Sequence, residues 1–354
     1  MKKILLILLI ITIAVPVQVF GAARPREIPY DHALSRAITR NPSIVPLDRD
    51  TRAANARARD LLEEYLATVN ADRTEAAAIY GQRLMALAER DRLQRERDRL
   101  RLNVELDLRR HLSAITEGSQ NVEILENTLI LQEMLAEQTE LRHYHGMASE
   151  FELRDVQQTL EQTRLNLEML NLSLESERQQ LNRLIHQPIT ANIQIIYDKH
   201  DFLPIPEEAD TDRFIQRLAA QDHNLLRWHE EVEIRRHEWQ RQLEDPEVDN
   251  SYMRLQHQLA QLERDMAERQ AELNIRNTLA EWDQLLEQEL ALQADLARAQ
   301  SEYENMQNRL QAGLVTQIQV DFAALEKVSS EARLTRHGYN FWITRLRIEH
   351  PYMR

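Results

Sequence analysis

The chain has 354 residues, with 58 acidic and 44 basic side chains and a net charge of −14. That balance excludes nucleic acid as an expected partner, because phosphate backbones demand a basic footprint, and it helps to keep an elongated protein in solution. No cysteine is present, so there is no disulfide framework, no thiolate metal site and no cysteine for a lipid anchor. Six glycines, 5% aromatic residues and an abundance of Leu, Glu, Gln, Arg and Ala predict long helices; a β-sandwich or barrel needs more β-branched residues and more turns.

The chain opens with Lys2 and Lys3, an apolar and Thr-containing run from Ile4 to Val15, and the small residues Gly21-Ala22-Ala23. This reads as a secretory signal over residues 1–22. The run is short for a membrane span of roughly 20 residues and is interrupted by Pro16 and Gln18; the other reading is an uncleaved anchor. No later segment is long and apolar enough to cross a bilayer, so a periplasmic or outer-membrane-associated protein, secreted across the inner membrane, is expected.

Two segments then repeat one plan. Arg142-His143-Tyr144-His145-Gly146-Met147-Ala148-Ser149 aligns with Arg309-Leu310-Gln311-Ala312-Gly313-Leu314-Val315-Thr316. Each has Arg four residues before Gly, an apolar residue after it, and Ser or Thr three residues after it. More weakly, Asp31 to Ile44 aligns with Asp212 to Leu225. The organisation predicted is a first repeat over 23–188, a linker over 189–210 and a second repeat over 211–354.

Heptad spacing runs through both halves. After Gly146, Leu153, Val156, Leu160, Leu167, Leu170, Leu174, Leu181 and Leu184 alternate steps of three and four, broken by Thr163 and Glu177. Before it, Leu108, Ile115, Val122, Leu129 and Ala136 recur at sevens. The second half offers Leu259, Met266, Leu273 and Ala280, then Leu285, Leu292, Ala299 and Met306. Gly146 and Gly313 sit between these runs, with Ser149 and Thr316 as N-caps for the outgoing helices. Each glycine therefore marks the tip of an antiparallel hairpin whose incoming arm, about residues 75–143 or 251–310, is roughly 90–100 Å long. The fold class expected is all-α: long antiparallel coiled-coil hairpins in two tandem structural repeats, with little or no β. One short strand is expected near Ile193-Gln194-Ile195-Ile196-Tyr197.

These motifs resemble the TolC family of outer-membrane efflux proteins. The resemblance rests on the helix opening Ala33-Leu34, Ala37 and Asn41-Pro42-Ser43-Ile44, on the two Arg-x-x-x-Gly tips, and on Leu181, Leu184, Gln187 and Pro188, which loosely follow the family's Leu-x-x-Leu-x-Gly-x-Pro ending. It implies a homotrimer forming an α-helical duct for passive transport. A periplasmic membrane-fusion adaptor from an inner-membrane exporter would dock at Arg142, Gly146, Met147, Ala148, Arg309, Gly313, Leu314 and Val315. It also implies a lumen constriction near the tips, for which Glu152, Gln319 and Asp321 are the candidates. Gln319 departs from the family's carboxylate at the sixth position after the tip glycine.

A larger departure is the absence of the β-strand segments that the family inserts between the short first helix and the long second helix of each repeat. Val69-Asn70-Ala71-Asp72 and Glu244 to Asn250 read as tight turns. No pore through a bilayer is then expected from this chain alone, and the rival reading is a non-conducting coiled-coil spacer or adaptor of the cell envelope.

Other constellations carry less. His143-x-His145 has no third ligand nearby and gives no metal site. No P-loop, dinucleotide fingerprint or nucleophile elbow occurs, so no cofactor and no enzymatic activity are expected. Tyr339, Phe341, Trp342 and Tyr352 are read as core packing for the last helix, in preference to a partner-binding patch.

Overall fold

The computed structural model describes residues 25–197, 211–243 and 250–352. The expected signal, residues 198–210 of the linker and the turn over 244–249 lie outside them. The described residues form eight helices and two short strands, in the order β1 (Arg26–Pro29), α1 (Tyr30–Thr39), α2 (Ile44–Thr68), α3 (Arg73–Tyr144), α4 (Glu150–Leu184), β2 (Ile193–Ile196), α5 (Thr211–Ala219), α6 (His223–Leu243), α7 (Ser251–Gln311) and α8 (Gln317–Glu349). Helices α1 to α4 and α5 to α8 repeat the same plan, a short helix, a medium one, and a hairpin of very long arms. At 72 and 61 residues, α3 and α7 extend about 110 and 90 Å.

Long helices need lengthwise partners, since propensity alone does not hold them. Helix α3 packs along α2 and α4, and α7 along α6 and α8, while α6 and α8 also touch α3. The second and fourth helices of each repeat enter from opposite ends and meet at mid-height. One flank of the protomer is thus α2 and α4, and the other is α7. The turn between α2 and α3 is tight, as expected; Asp72 caps α3, accepting from Thr74 N at 2.8 Å and Glu75 N at 3.0 Å.

The main core sits at mid-height. Ile28, Ala33, Ile44, Leu108, Ile185 and Ile195 join Tyr339 and Trp342 there, so Tyr339, Phe341 and Trp342 are core residues, each at most 4% exposed. The expected strand is β2. It pairs in parallel with β1, Ile28 opposite Ile195, a strand that four residues ending in proline did not announce. Parallel pairing needs a crossover, and the whole first repeat supplies it. Buried Asn182 fixes the entry to β2 by donating to the carbonyls of Ile189 (3.1 Å) and Ala191 (2.8 Å).

The two breaks in the α4 seam are both satisfied. Buried Thr163 donates its hydroxyl to Thr159 O at 3.1 Å, and Glu177 meets His111 Nδ1 at 2.9 Å. Helix α4 ends in a Schellman motif, with Gln187 N donating to Asn182 O and His186 N to Arg183 O. His186 holds the left-handed position at φ 52°, where the family ending has glycine. His186→Gly is expected to stabilise the protein by about 1 kcal/mol, relieving the Cβ clash, and to raise the thermal midpoint. An unchanged or lower midpoint would count against that strain.

Among the described residues no helix is long and apolar enough to cross a membrane.

Candidate functional site: hairpin tips, an uncovered flank and a helix-end junction

Both tips lie at one end of the molecule. Arg109 of α3 meets Trp342 of α8, Thr116 meets Tyr339 and Glu117 meets Arg336, so the two helices run antiparallel and their hairpins point the same way. Each tip is a Schellman motif followed at once by a capping box. Met147 N donates to Arg142 O (2.7 Å) and Gly146 N to His143 O (2.9 Å); Leu314 N donates to Arg309 O and Gly313 N to Leu310 O, both 2.9 Å. Gly146 and Gly313 adopt φ of 71° and 72°, which a side chain adopts only with strain. Arg142 also donates from its guanidinium to Met147 O at 3.3 Å, and Ala148 O accepts from His143 Nδ1 at 3.0 Å.

Glu152 is the third residue of α4 and accepts from Ser149 N at 2.7 Å, while Ser149 Oγ accepts from Glu152 N at 3.1 Å. Those bonds hold its carboxyl below the ordinary carboxylate range. Gln319 repeats the device, accepting from Thr316 N at 2.9 Å. Asp321 instead accepts from Gln317 Nε2 at 2.7 Å. Position six after the tip glycine is thereby a helix-capping position in both hairpins, which accounts for an acid in one and an amide in the other.

Apolar side chains stand out from the first tip: Leu141, Tyr144, Met147 and Phe151 are exposed, with Leu314 on the second, while Val315 is half-buried. Among the described residues no three His, Asp or Glu side chains are placed to hold a metal ion.

The α7 seam differs from its expected register. Leu285 and Ala299 are buried as expected, but in the upper half Leu259, Met266 and Leu273 face outward, and Ala260, Ala267, Ala271, Ile275 and Trp282 are the buried set. The reason is that α7 carries two apolar stripes. The inner one, alanines followed by Ile275 and Trp282, packs on α5 and α6. The outer one, Tyr252, Leu255, Leu259, Leu262, Met266 and Leu273, keeps heptad spacing with each residue 49–63% exposed. On the opposite flank, α2 and α3 enclose a groove of about 690 Å³ in which Ala53, Ala54, Met85 and Ala86 lie among the charged side chains of Asp50, Arg57, Glu89 and Arg92. It lies a similar number of residues from the α2–α3 turn as Leu262 and Met266 lie from the start of α7. Further down this flank, α4 exposes Leu165, Met169 and Leu172.

At the second-repeat junction, where α6 begins and α8 ends, His223 stacks flat on Tyr352 with ring centroids 3.8 Å apart. Burial, then the nearby Arg95 guanidinium, pushes His223 down to about 4, and burial also lowers His350. Folding thus favours neutral His223. Its contribution is complete above pH 6.5, the ordinary value, and is lost as pH falls toward 4, because the unfolded chain binds the extra proton in that window. Stability in denaturant is expected to fall between pH 6.5 and 5, and His223→Gln to flatten that fall. An identical slope in the variant would remove His223 from the account.

These observations define an elongated helical chain of two hairpin repeats, with exposed apolar side chains at its first tip and along α7. Known structures share that form. The outer membrane protein VceC from Vibrio cholerae superimposes with a TM-score of 0.60 at 12% identity, covering 91% of this chain and 95% of that one. CusC, described in terms of folding and transmembrane channel formation, gives 0.63 at 13%, covering 91% and 95%, and the CmeC outer membrane channel of Campylobacter jejuni gives 0.61 at 11%, covering 91% and 85%. No protein-family model matches the chain, and neither does any curated protein. The chain has the fold of the TolC-type outer membrane channels, as the repeated tips imply.

Proposed function

We propose that this chain is the protomer of a passive efflux or export conduit in the cell envelope. Three copies close into a ring of long helices, and the tips around Gly146 and Gly313 dock a periplasmic membrane-fusion adaptor of an inner-membrane exporter. The observation that carries this reading is the uncovered heptad stripe on α7 together with the groove between α2 and α3 on the other flank, where Ala53, Ala54 and Ala86 leave room between charged side chains. Knobs on one edge and a groove on the opposite edge at the same height suit a head-to-tail contact, which closes into a ring when the rotation permits. The likeness to outer membrane channels supports the same reading. Residues 1–22 are taken as the export signal, and 23–188 and 211–354 as the two repeats. The protein belongs in the periplasm or at the outer membrane. Glu152, Gln319 and Asp321 would then line the duct near its tip end, the first two through capped, fixed side chains.

The test is the oligomeric state of residues 23–354, by light scattering after gel filtration with negative-stain imaging. A hollow trimer is expected. A solid rod of one or two chains would sink the duct and favour a non-conducting spacer, a reading that the tight α2–α3 turn also suits. Adaptor capture by the trimer is expected to be lost in Gly146→Pro and Gly313→Pro, since proline removes the N–H that closes each tip; unaltered capture would place docking elsewhere.

A further inference from the structure

The meeting of helix ends occurs twice in this fold, and the two junctions are finished differently. In the first repeat α4 ends where α2 begins, and Ile44, Val104, Leu108, Leu181 and Ile185 close the gap, each at least nine-tenths buried. In the second repeat the gap stays open between α3 and α7 as two adjoining cavities of about 440 and 320 Å³ that share Asn274. The fold does not require this opening, since its own first half seals the equivalent place with aliphatic side chains.

The chemistry of the larger cavity is cationic, in a chain of net charge −14. Arg92, Arg95 and Arg99 come from one face of α3 and Arg227 from α6, with Gln270 and Asn274 of α7 opposite. Arg92 is held by Glu89 and Glu96, and Arg95 by both oxygens of Glu230, at 2.5 and 2.7 Å. Arg99 and Arg227 form no ion pair among the described residues; Arg227 lies over its neighbour Trp228. Of the acids lining the cavity, Glu96 is engaged by Arg92, and Asp222 caps α6 by accepting from Asn224 N and Leu225 N. Two guanidinium forks thus share a concave site with two carboxamides. Guanidinium recognises phosphate and carboxylate groups bidentately, and charge-assisted bonds of this kind are the strong ones.

We propose that this cleft binds a small multivalent oxyanion, a molecule bearing phosphate or carboxylate groups, clamped between Arg99 and Arg227 with Gln270 and Asn274 donating from α7. The site is an open cleft lined by α3, α6 and α7, with Arg99 and Arg227 exposed at it, and all of its lining comes from one chain.

The experiment is calorimetric titration of the full mature chain in 0.15 M NaCl with pyrophosphate and, separately, citrate. One saturable site per chain is expected for at least one of them, and the stronger of the two identifies phosphate or carboxylate as the preferred group. The Arg99→Gln/Arg227→Gln double variant should bind at least about tenfold more weakly, while Arg164→Gln, on exposed α4, should bind as the parent does. A second readout needs no variant: NMR titration of the His223 ring should show its pKa rising from about 4 when the anion is bound, because a nearby negative charge favours imidazolium. Absence of saturable binding by both probes overturns the proposal, as does equal affinity in the double variant or an unmoved His223.

Discussion

In the proposed ring, replacing Leu262 and Met266 together with glutamate is expected to leave folded single chains. Both side chains lie on the outer stripe of α7, at 59% and 60% exposed, so neither supports its own protomer's core. Covering the rest of a leucine or methionine side chain contributes about 1 kcal/mol each. A carboxylate forced into the same place without a partner costs several more. The effect recurs at every contact in a closed ring, so weakening by three orders of magnitude or more in dissociation constant is expected. Light scattering should report the monomer mass, and circular dichroism should report unchanged helix. If the double variant assembles as the parent does, the α7 stripe is not the seam and the ring loses its main physical support.

That stripe also shows how far the sequence could be read. The hairpin tips were legible because everything they need is local. The arginine carbonyl that accepts from the residue after glycine, the positive φ, the cap and the reciprocal Glu or Gln all fall within Arg142 to Glu152 and within Arg309 to Gln319. Spacing alone encodes them. The α7 heptad was legible as a period and misread as to its face, since a single apolar series cannot say whether its partner is in the same chain. The second series, Ala260, Ala267, Ala271 and Ile275, was the available signal, because two stripes on one helix imply two different neighbours.

Other features were not legible because they are non-local. Strand β1 exists only through its pairing with β2, more than 160 residues later. The arginine cleft draws on α3, α6 and α7, and its arginines read in sequence as part of an ordinary charge-laced helix face. Only the packing shows that Arg99 and Arg227 line one cleft while Arg92 and Arg95 are already paired.

Arg109→Met is expected to cost about 3–5 kcal/mol, the range for removing one partner of a buried ion pair. The side chains of Arg109 and Glu105 are only 11% and 17% exposed, so solvent screens their pairing little. Arg109 also donates to Trp342 O at 2.7 Å and to the Tyr30 hydroxyl at 3.3 Å, and its guanidinium lies 4.4 Å from the centre of a Trp342 ring. One side chain therefore joins the first helix, the middle of α3 and the last helix. Its loss leaves Glu105 charged beside Tyr30, whose own ionisation is already suppressed by burial and then by Glu105. The pair matters more than the charge alone, so Arg109→Met/Glu105→Met should be less destabilised than Arg109→Met. Chemical denaturation of the three proteins at pH 7 reads both statements. A loss under 1 kcal/mol in Arg109→Met, or a double variant worse than the single, would mean that apolar packing around Trp342 holds the two ends of the chain together without help from this arginine.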